Sequence, residues 1–210
     1  LTAKGASGMT VTDYAGTNSV EGLYVQSREQ TNGTDTATWN YPINATRLVS
    51  RMQSIFVSAD IGTSRTFNSM SLYVTQRPNI VLTNWTIRMR HTSLSSYGAP
   101  PSWSSSGWTT VYQGNKSFGA TGWNTFPFSS TFVYNSLSNV MIDISFYGSD
   151  CGLTNGLCRV TDYGQSRSIF FSATNAIYGA PLTWAGTSNP TPATNSLCPN
   201  IKLGWNAEIP

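Results

Sequence analysis

The most regular alternation of apolar and polar positions runs through Val140-Met141-Ile142-Asp143-Ile144-Ser145-Phe146. Val140, Ile142, Ile144 and Phe146 fall on one side and Met141, Asp143 and Ser145 on the other. A period of two marks a strand with one buried face, so this stretch predicts a core strand with Asp143 turned outward. Before it, Trp108-Thr109-Thr110-Val111-Tyr112 and Gly122-Trp123-Asn124-Thr125-Phe126-Pro127-Phe128 are rich in aromatic and β-branched residues. Together the three runs read as a meander with an aromatic inward face. Trp85, Ile87, Met89 and His91 likewise share one face of a strand, with Thr86, Arg88, Arg90 and Thr92 on the other.

Further strands are predicted over 52–59, 68–74, 167–173 and 200–203, with turn residues recurring at short intervals and no room for long helices. The segment 93–107 reads as a loop, 181–186 is too broken by Pro and Gly for an ordinary strand, 187–199 reads as a surface crossing and 204–210 as a tail. The predicted core is Ile55, Leu72, Ile87, Val111, Trp123, Phe126, Val140, Ile142, Ile144 and Phe146. This pattern predicts an all-β chain: a two-sheet antiparallel β-sandwich, jelly-roll-like in strand order.

Residues 1–46 have a different texture, small and polar with short apolar islands at Met9-Thr10-Val11 and Leu23-Tyr24-Val25. They read as an extended N-terminal arm or edge strands ahead of a β-sandwich domain over 47–210. Islands this short cannot bury one another, whereas the unpaired edge of a sheet readily accepts an added strand. Met9, Val11, Leu23 and Val25 are therefore candidates for an assembly arm that joins the sheet of a neighbouring copy.

Composition narrows the function. Charged residues make up 10% of the 210, against about 25% in ordinary soluble domains, while Ser, Thr, Asn and Gly are abundant. Such a mixture suits outward faces made of hydroxyls and amides. The net charge of +3 has no basic run behind it, which argues against a nucleic-acid partner. No apolar stretch approaches a membrane span, and the first residues lack the pattern of a signal peptide, as expected of the mature form of a secreted protein.

Three cysteines are too few for a disulfide scaffold. Cys151 and Cys158 bracket a Gly/Asn loop and are a disulfide candidate, with Cys158–Cys198 as the rival pairing and the remaining thiol free or linked to another chain. Four sequons, at Asn32, Asn44, Asn84 and Asn115, are glycosylation candidates or chance products of a Ser/Thr/Asn-rich chain. His91, the single histidine, has no cysteine or carboxylate at ligand spacing and reads as a hydrogen-bonded strand-end residue. Arg88 and Arg90 read as a short outward stripe. There is no Gly-x-Ser-x-Gly elbow, P-loop or dinucleotide fingerprint, and no cofactor is expected.

Several stretches in order resemble an uncharacterised class of bacterial extracellular β-sandwich modules found in large secreted or surface proteins. They are 51–56, 85–92, Gly107-Trp108-Thr109-Thr110-Val111-Tyr112, 122–126, Phe132-Val133-Tyr134-Asn135, Arg167-Ser168, 181–186 and Pro199-Asn200-Ile201-Lys202-Leu203. The similarity covers about residues 47–203 and rests on scaffold residues, so it carries no catalytic set. It implies an extracellular or cell-surface setting and a role in surface structure or adhesion.

The sequence thus predicts a non-enzymatic structural subunit of an extracellular assembly, self-associating into a filament by strand addition, with other copies of itself as partners. The alternative is a carbohydrate-binding or adhesion module in which exposed Tyr97, Trp103 and Trp184 stack on glycans.

Overall fold

In the computed structural model of this chain the described residues are 2–4, 10–12 and 24–209, with side chains described over 25–207. Strands β1 (Thr2–Lys4) and β2 (Thr10–Thr12) pair with each other. There follow β3 (Tyr24–Asn32), β4 (Ala37–Trp39), β5 (Val49–Phe56), β6 (Arg65–Gln76), β7 (Leu82–Thr92), β8 (Thr109–Lys116) and β9 (Gly122–Tyr134). β10 (Asn139–Tyr147), β11 (Leu157–Asp162), β12 (Ser168–Ala173), β13 (Ala193–Asn195), β14 (Leu197–Pro199) and β15 (Ile201–Ile209) complete the order. One helical turn, α1 (Ser58–Ile61), follows β5, and a 3-10 turn spans Pro181–Thr183, where Pro and Gly were expected to break a strand.

Beyond the β1–β2 pair, the strands form two antiparallel sheets, the all-β two-sheet sandwich that the period-2 pattern predicts. The first runs β13-β12-β5-β10-β7-β8; the second runs β14-β11-β6-β15-β3, with β4 on β11 and β9 on β6. Their facing sides bury one apolar cluster that includes Phe67, Met70, Leu72, Val74, Trp85, Ile87, Met89 and Phe126. The four apolar positions of β10 lie in the same cluster. Trp85 stacks on Phe126 and Phe146 with ring centres 5.8 and 6.4 Å away, so its indole bridges the two sheets.

The predicted core needs two corrections. Trp123 is half-buried on the outer side of the second sheet, opposite Tyr73 of β6. Ile55 is buried but faces away from the inter-sheet core, in a second apolar cluster with Val49, Tyr97, Trp103, Met141, Ile169 and Trp184.

That second cluster overturns the expectation of an outward, solvated face. Every residue of β5 is buried, as is Val140–Phe146 of β10. The cover comes from the chain itself, through segments 93–108 and 174–190, which bring Tyr97, Trp103, Tyr178 and Trp184 onto the outer side of the first sheet.

Asp143 sits beneath this cover, fully buried, and a buried carboxylate is stable only when paired and hydrogen-bonded. It opposes Gln53 of β5 and Arg88 of β7, and its Oδ2 accepts from Arg51 Nε and Nη2 at 3.0 and 2.7 Å, Gln53 Nε2 at 3.0 Å and Arg88 Nη2 at 2.7 Å. Arg51 then reaches the cover. Its Nη1 donates to the carbonyls of Pro181 (2.9 Å) and Trp184 (2.7 Å), and its Nη2 to that of Ser104 (3.0 Å). Gln53 binds Ser104 as well, donating Nε2 to its carbonyl and accepting its N–H. Arg88, expected in a solvated stripe, is therefore part of a buried ion cluster, and Asp143 is not an outward strand residue.

The C-terminal stretch also differs from expectation. Residues 204–209 are no tail: β15 continues to Ile209 and pairs with β3 from Ile201↔Asn32 through to Ile209↔Tyr24. β3 is thus an edge strand of the second sheet, and Ile43 and Ala45 are buried in the main core, so the sandwich takes in residues from 24 onward. The cysteine region contains β11, whose Cys158 and Val160 point inward.

These contacts predict that both faces of β10 are sensitive. Ile144→Ala is expected to cost about 2–5 kcal/mol as a core truncation, and Asp143→Ala about 3–5 kcal/mol because it leaves two buried guanidinium groups without their carboxylate. Denaturant unfolding checks both; a loss under about 1 kcal/mol for Asp143→Ala would show that its face is wet.

Candidate functional site

Among the described residues, one sheet face is sealed by the chain's own loops, whereas no such loop cover lies over the outer side of the second sheet, and β3 leaves that sheet an open edge. Alternation along β6 sends Leu72 and Val74 into the core, so Ser69, Ser71 and Tyr73 lie on the outer side, where Ser71 is buried among its neighbours. Pairing then builds rows across the sheet. Tyr73 opposes Trp123 of β9; Ser71 lies between Thr125 of β9 and Lys202 of β15; Ser69 lies between Pro127 and Gly204. Lys202 continues to Thr31 of β3, and Gly204 to Glu29.

Each side chain in this patch has a defined neighbour. Trp123 meets Tyr73 edge-on with ring centres 5.2 Å apart. The guanidinium carbon of Arg159, on β11, lies 4.0 Å from the Tyr73 ring centre. Lys202 Nζ is 5.0 Å from the Trp123 ring centre and 2.8 Å from Glu29 Oε2. Ser71 and Thr125 share a hydroxyl hydrogen bond at 2.9 Å. A Cβ at Gly204 would run into Ser69 Oγ, so a residue without a side chain keeps the floor flat there. The result is two aromatic rings, two cations, one carboxylate and a hydroxyl floor on a single face.

Sequence reasoning missed this patch because no residue in it belongs to a known motif. One signal was present: Trp123 and Phe126 are three positions apart, and in a regular strand such residues face opposite sides. With Phe126 in the core, the alternation puts Trp123 outside.

The residues predicted for glycan stacking lie elsewhere. Tyr97, Trp103 and Trp184 are 7%, 3% and 1% exposed, packed under and within the cover of the first sheet. Trp103 and Trp184 have ring centres 5.6 Å apart and donate their indole N–H groups to the carbonyls of Pro190 and Tyr178. They are structural aromatics, and burial pushes the Tyr97 phenol well above its ordinary pKa, with the nearby Asp143 charge adding to the effect.

Of the assembly candidates, Met9 and Leu23 lie outside the described residues. Val11 is in β2, opposite Ala3, and Val25 is in β3, exposed and paired with Glu208 of the same chain. Among the sequons, Asn32 and Asn44 are buried, their amides donating to the carbonyl of Asp60 and to Ser172 Oγ. Asn84 and Asn115 are exposed, and Asn115 Oδ1 accepts from the Asn84 N–H. His91 Nε2 accepts from the Asn135 N–H at 3.3 Å, and partial burial lowers its pKa.

Neither the candidate Cys151–Cys158 disulfide nor its rival is present, since all three cysteines are free. Cys151 is exposed on its loop, while the strand alternation of β11 carries Cys158 into the core. Burial raises the Cys158 thiol far above its usual value and pushes Cys198 up to about 12. The thiolate is the reactive form, so a maleimide is expected to label the native protein once, at Cys151, and the unfolded protein three times. Native labelling that appears only after reduction would reveal a bond at Cys151.

Among the described residues, no helix is long and apolar enough to cross a membrane. Comparison with family models, with curated proteins and with solved structures found no match to this chain.

Proposed function

We propose that this chain is a non-enzymatic structural subunit of an extracellular or cell-surface assembly, joined to copies of itself by strand addition at the β3 edge. The observation that carries this reading is β3 itself. It is nine residues long, ladders along its whole length with β15, and has no strand on its other side among the described residues. Such an edge presents a row of backbone donors and acceptors that another chain can satisfy.

Residues 1–23 lead directly into this strand and hold the apolar island Met9-Thr10-Val11. Val25, expected in the same role, is taken up by the sandwich itself, so the donor is placed in residues 1–23, whose β2 pairs with β1 and with neither sheet of the sandwich among the described residues, and the acceptor is β3. A contact between two different surfaces propagates into a filament unless its rotation closes a ring. Low charge and outward hydroxyl and amide side chains favour close approach of copies. The best-buried carboxylate, Asp143, is committed to tying down the cover of the first sheet, a structural use that fits a scaffold.

Light scattering on the full chain and on one lacking residues 1–23 tests the proposal; this truncation leaves β3 whole. The full chain is expected to grow in mass with concentration and the truncated one to stay monomeric with an unchanged circular dichroism spectrum. A full chain that stays monomeric, or a truncated chain that assembles equally well, refutes strand addition by this segment.

A further inference from the structure

The open face of the second sheet holds a cation that the fold positions without using its hydrogen-bonding groups. The Arg159 guanidinium stacks on Tyr73, and among the described residues it forms no salt bridge or side-chain hydrogen bond. Arg51 and Arg88, by contrast, are committed to Asp143, and Arg167 to Asp60. Stacking holds the guanidinium plane still while leaving its fork of N–H donors free, the arrangement that suits two-point recognition of a carboxylate. Trp123, half-buried beside it, offers part of an indole to solvent. The floor next to the rings is made of Ser69 and Thr125, the latter bonded to the buried Ser71 hydroxyl, with Lys202 and Glu29 as a donor and an acceptor at its far side.

The geometry points to a binding site for an acidic polysaccharide, a chain of uronic-acid sugars lying across β9, β6 and β15. A uronate carboxylate meets Arg159, the C–H face of a sugar ring packs on Trp123, and ring hydroxyls bond to Thr125, Lys202 and Glu29. The choice of occupant follows from the chemistry present. A peptide strand would use a sheet edge and not a hydroxyl floor, and a polyphosphate has no apolar C–H face to set against Trp123. A neutral glycan would leave the free guanidinium without a counter-charge. The site is separate from the β3 edge and stands on different residues from the strand-addition proposal.

Isothermal titration with an oligogalacturonate, and with a maltooligosaccharide of the same length as the neutral probe, tests the inference. The oligogalacturonate is expected to bind at least about tenfold more tightly than the neutral probe, since a charge-assisted, two-point bond is among the strongest polar contacts. Arg159→Ala and Trp123→Ala are each expected to weaken it by about tenfold or more. Arg159→Lys restores only part of the loss, because an ammonium lacks the planar fork, and added salt weakens binding. Ile177→Ala, exposed on the cover of the other sheet, leaves binding unchanged, and thermal unfolding confirms that each variant folds.

Absence of oligogalacturonate binding, equal binding of the neutral probe, or indifference to Arg159→Ala overturns the inference. So does loss of self-association in Arg159→Ala without sugar, which would make the face a contact between copies. Removing residues 1–23 leaves sugar binding intact, so the two proposals fail separately.

Discussion

One buried ion cluster governs the architecture of the first sheet. Asp143 lies on β10, the strand between β5 and β7, and its carboxylate would be untenable there without the two arginines that flank it. Taking these charges out of water is costly, and the pairing offsets that cost only with full hydrogen bonding. Arg51 meets its own share of this demand by reaching beyond Asp143 to three loop carbonyls, while Asp143 Oδ1 and Arg88 Nε have no partner among the described residues. The electrostatic requirement of a strand residue thereby becomes the anchor for long covering segments with little secondary structure of their own. Segments of this length are otherwise poorly ordered, and here Trp103 and Trp184 pack beneath them as a second core.

The asymmetry of the molecule follows from that anchoring. The first sheet is buried on both sides along its central strands, its covered side holding the ion cluster, and the second is apolar inside and hydroxyl-rich outside. Any partner of the sheet faces is thus directed to one side of the sandwich. The same two strands, β3 and β15, bound both the open edge and the far side of the Ser/Thr floor, so a strand added to β3 would extend that floor sideways without covering Trp123.

Much of the fold could be read from alternation alone. β5, β6, β7, β8, β9, β10 and β12 lie where period-2 patterning and turn residues put them, and the inward residues of β10 are those the pattern selects. The pattern fails where burial is two-sided. Met141, Asp143 and Ser145 look like an exposed face because they are less apolar than their neighbours, yet local sequence contains nothing about loops arriving from residues 93–108 and 174–190. The aromatics of those loops look exposed for the same reason. β11 escapes the pattern because its polar residues, Arg159 among them, mask the alternation of Cys158 with Val160, whereas β3 falls in the stretch read as an extended arm or edge strands. The open patch assembles from β3, β6, β9, β11 and β15, and proximity across five strands leaves no trace in spacing along the chain.

The pairing of β3 with β15 has a mechanical side. Tyr24 faces Ile209 at one end of the ladder and Asn32 faces Ile201 at the other, so the outermost residues of the two strands sit together. A tension applied between residues 24 and 209 does not load all nine rungs at once. It concentrates on the first rung and then passes to the next, as in opening a zip, while the ladders of β10 with β5 and β7 carry none of it. Under load through these positions the sandwich would release β3 at low force and lengthen, leaving the inner sheet structure and the Asp143 cluster in place as a stop.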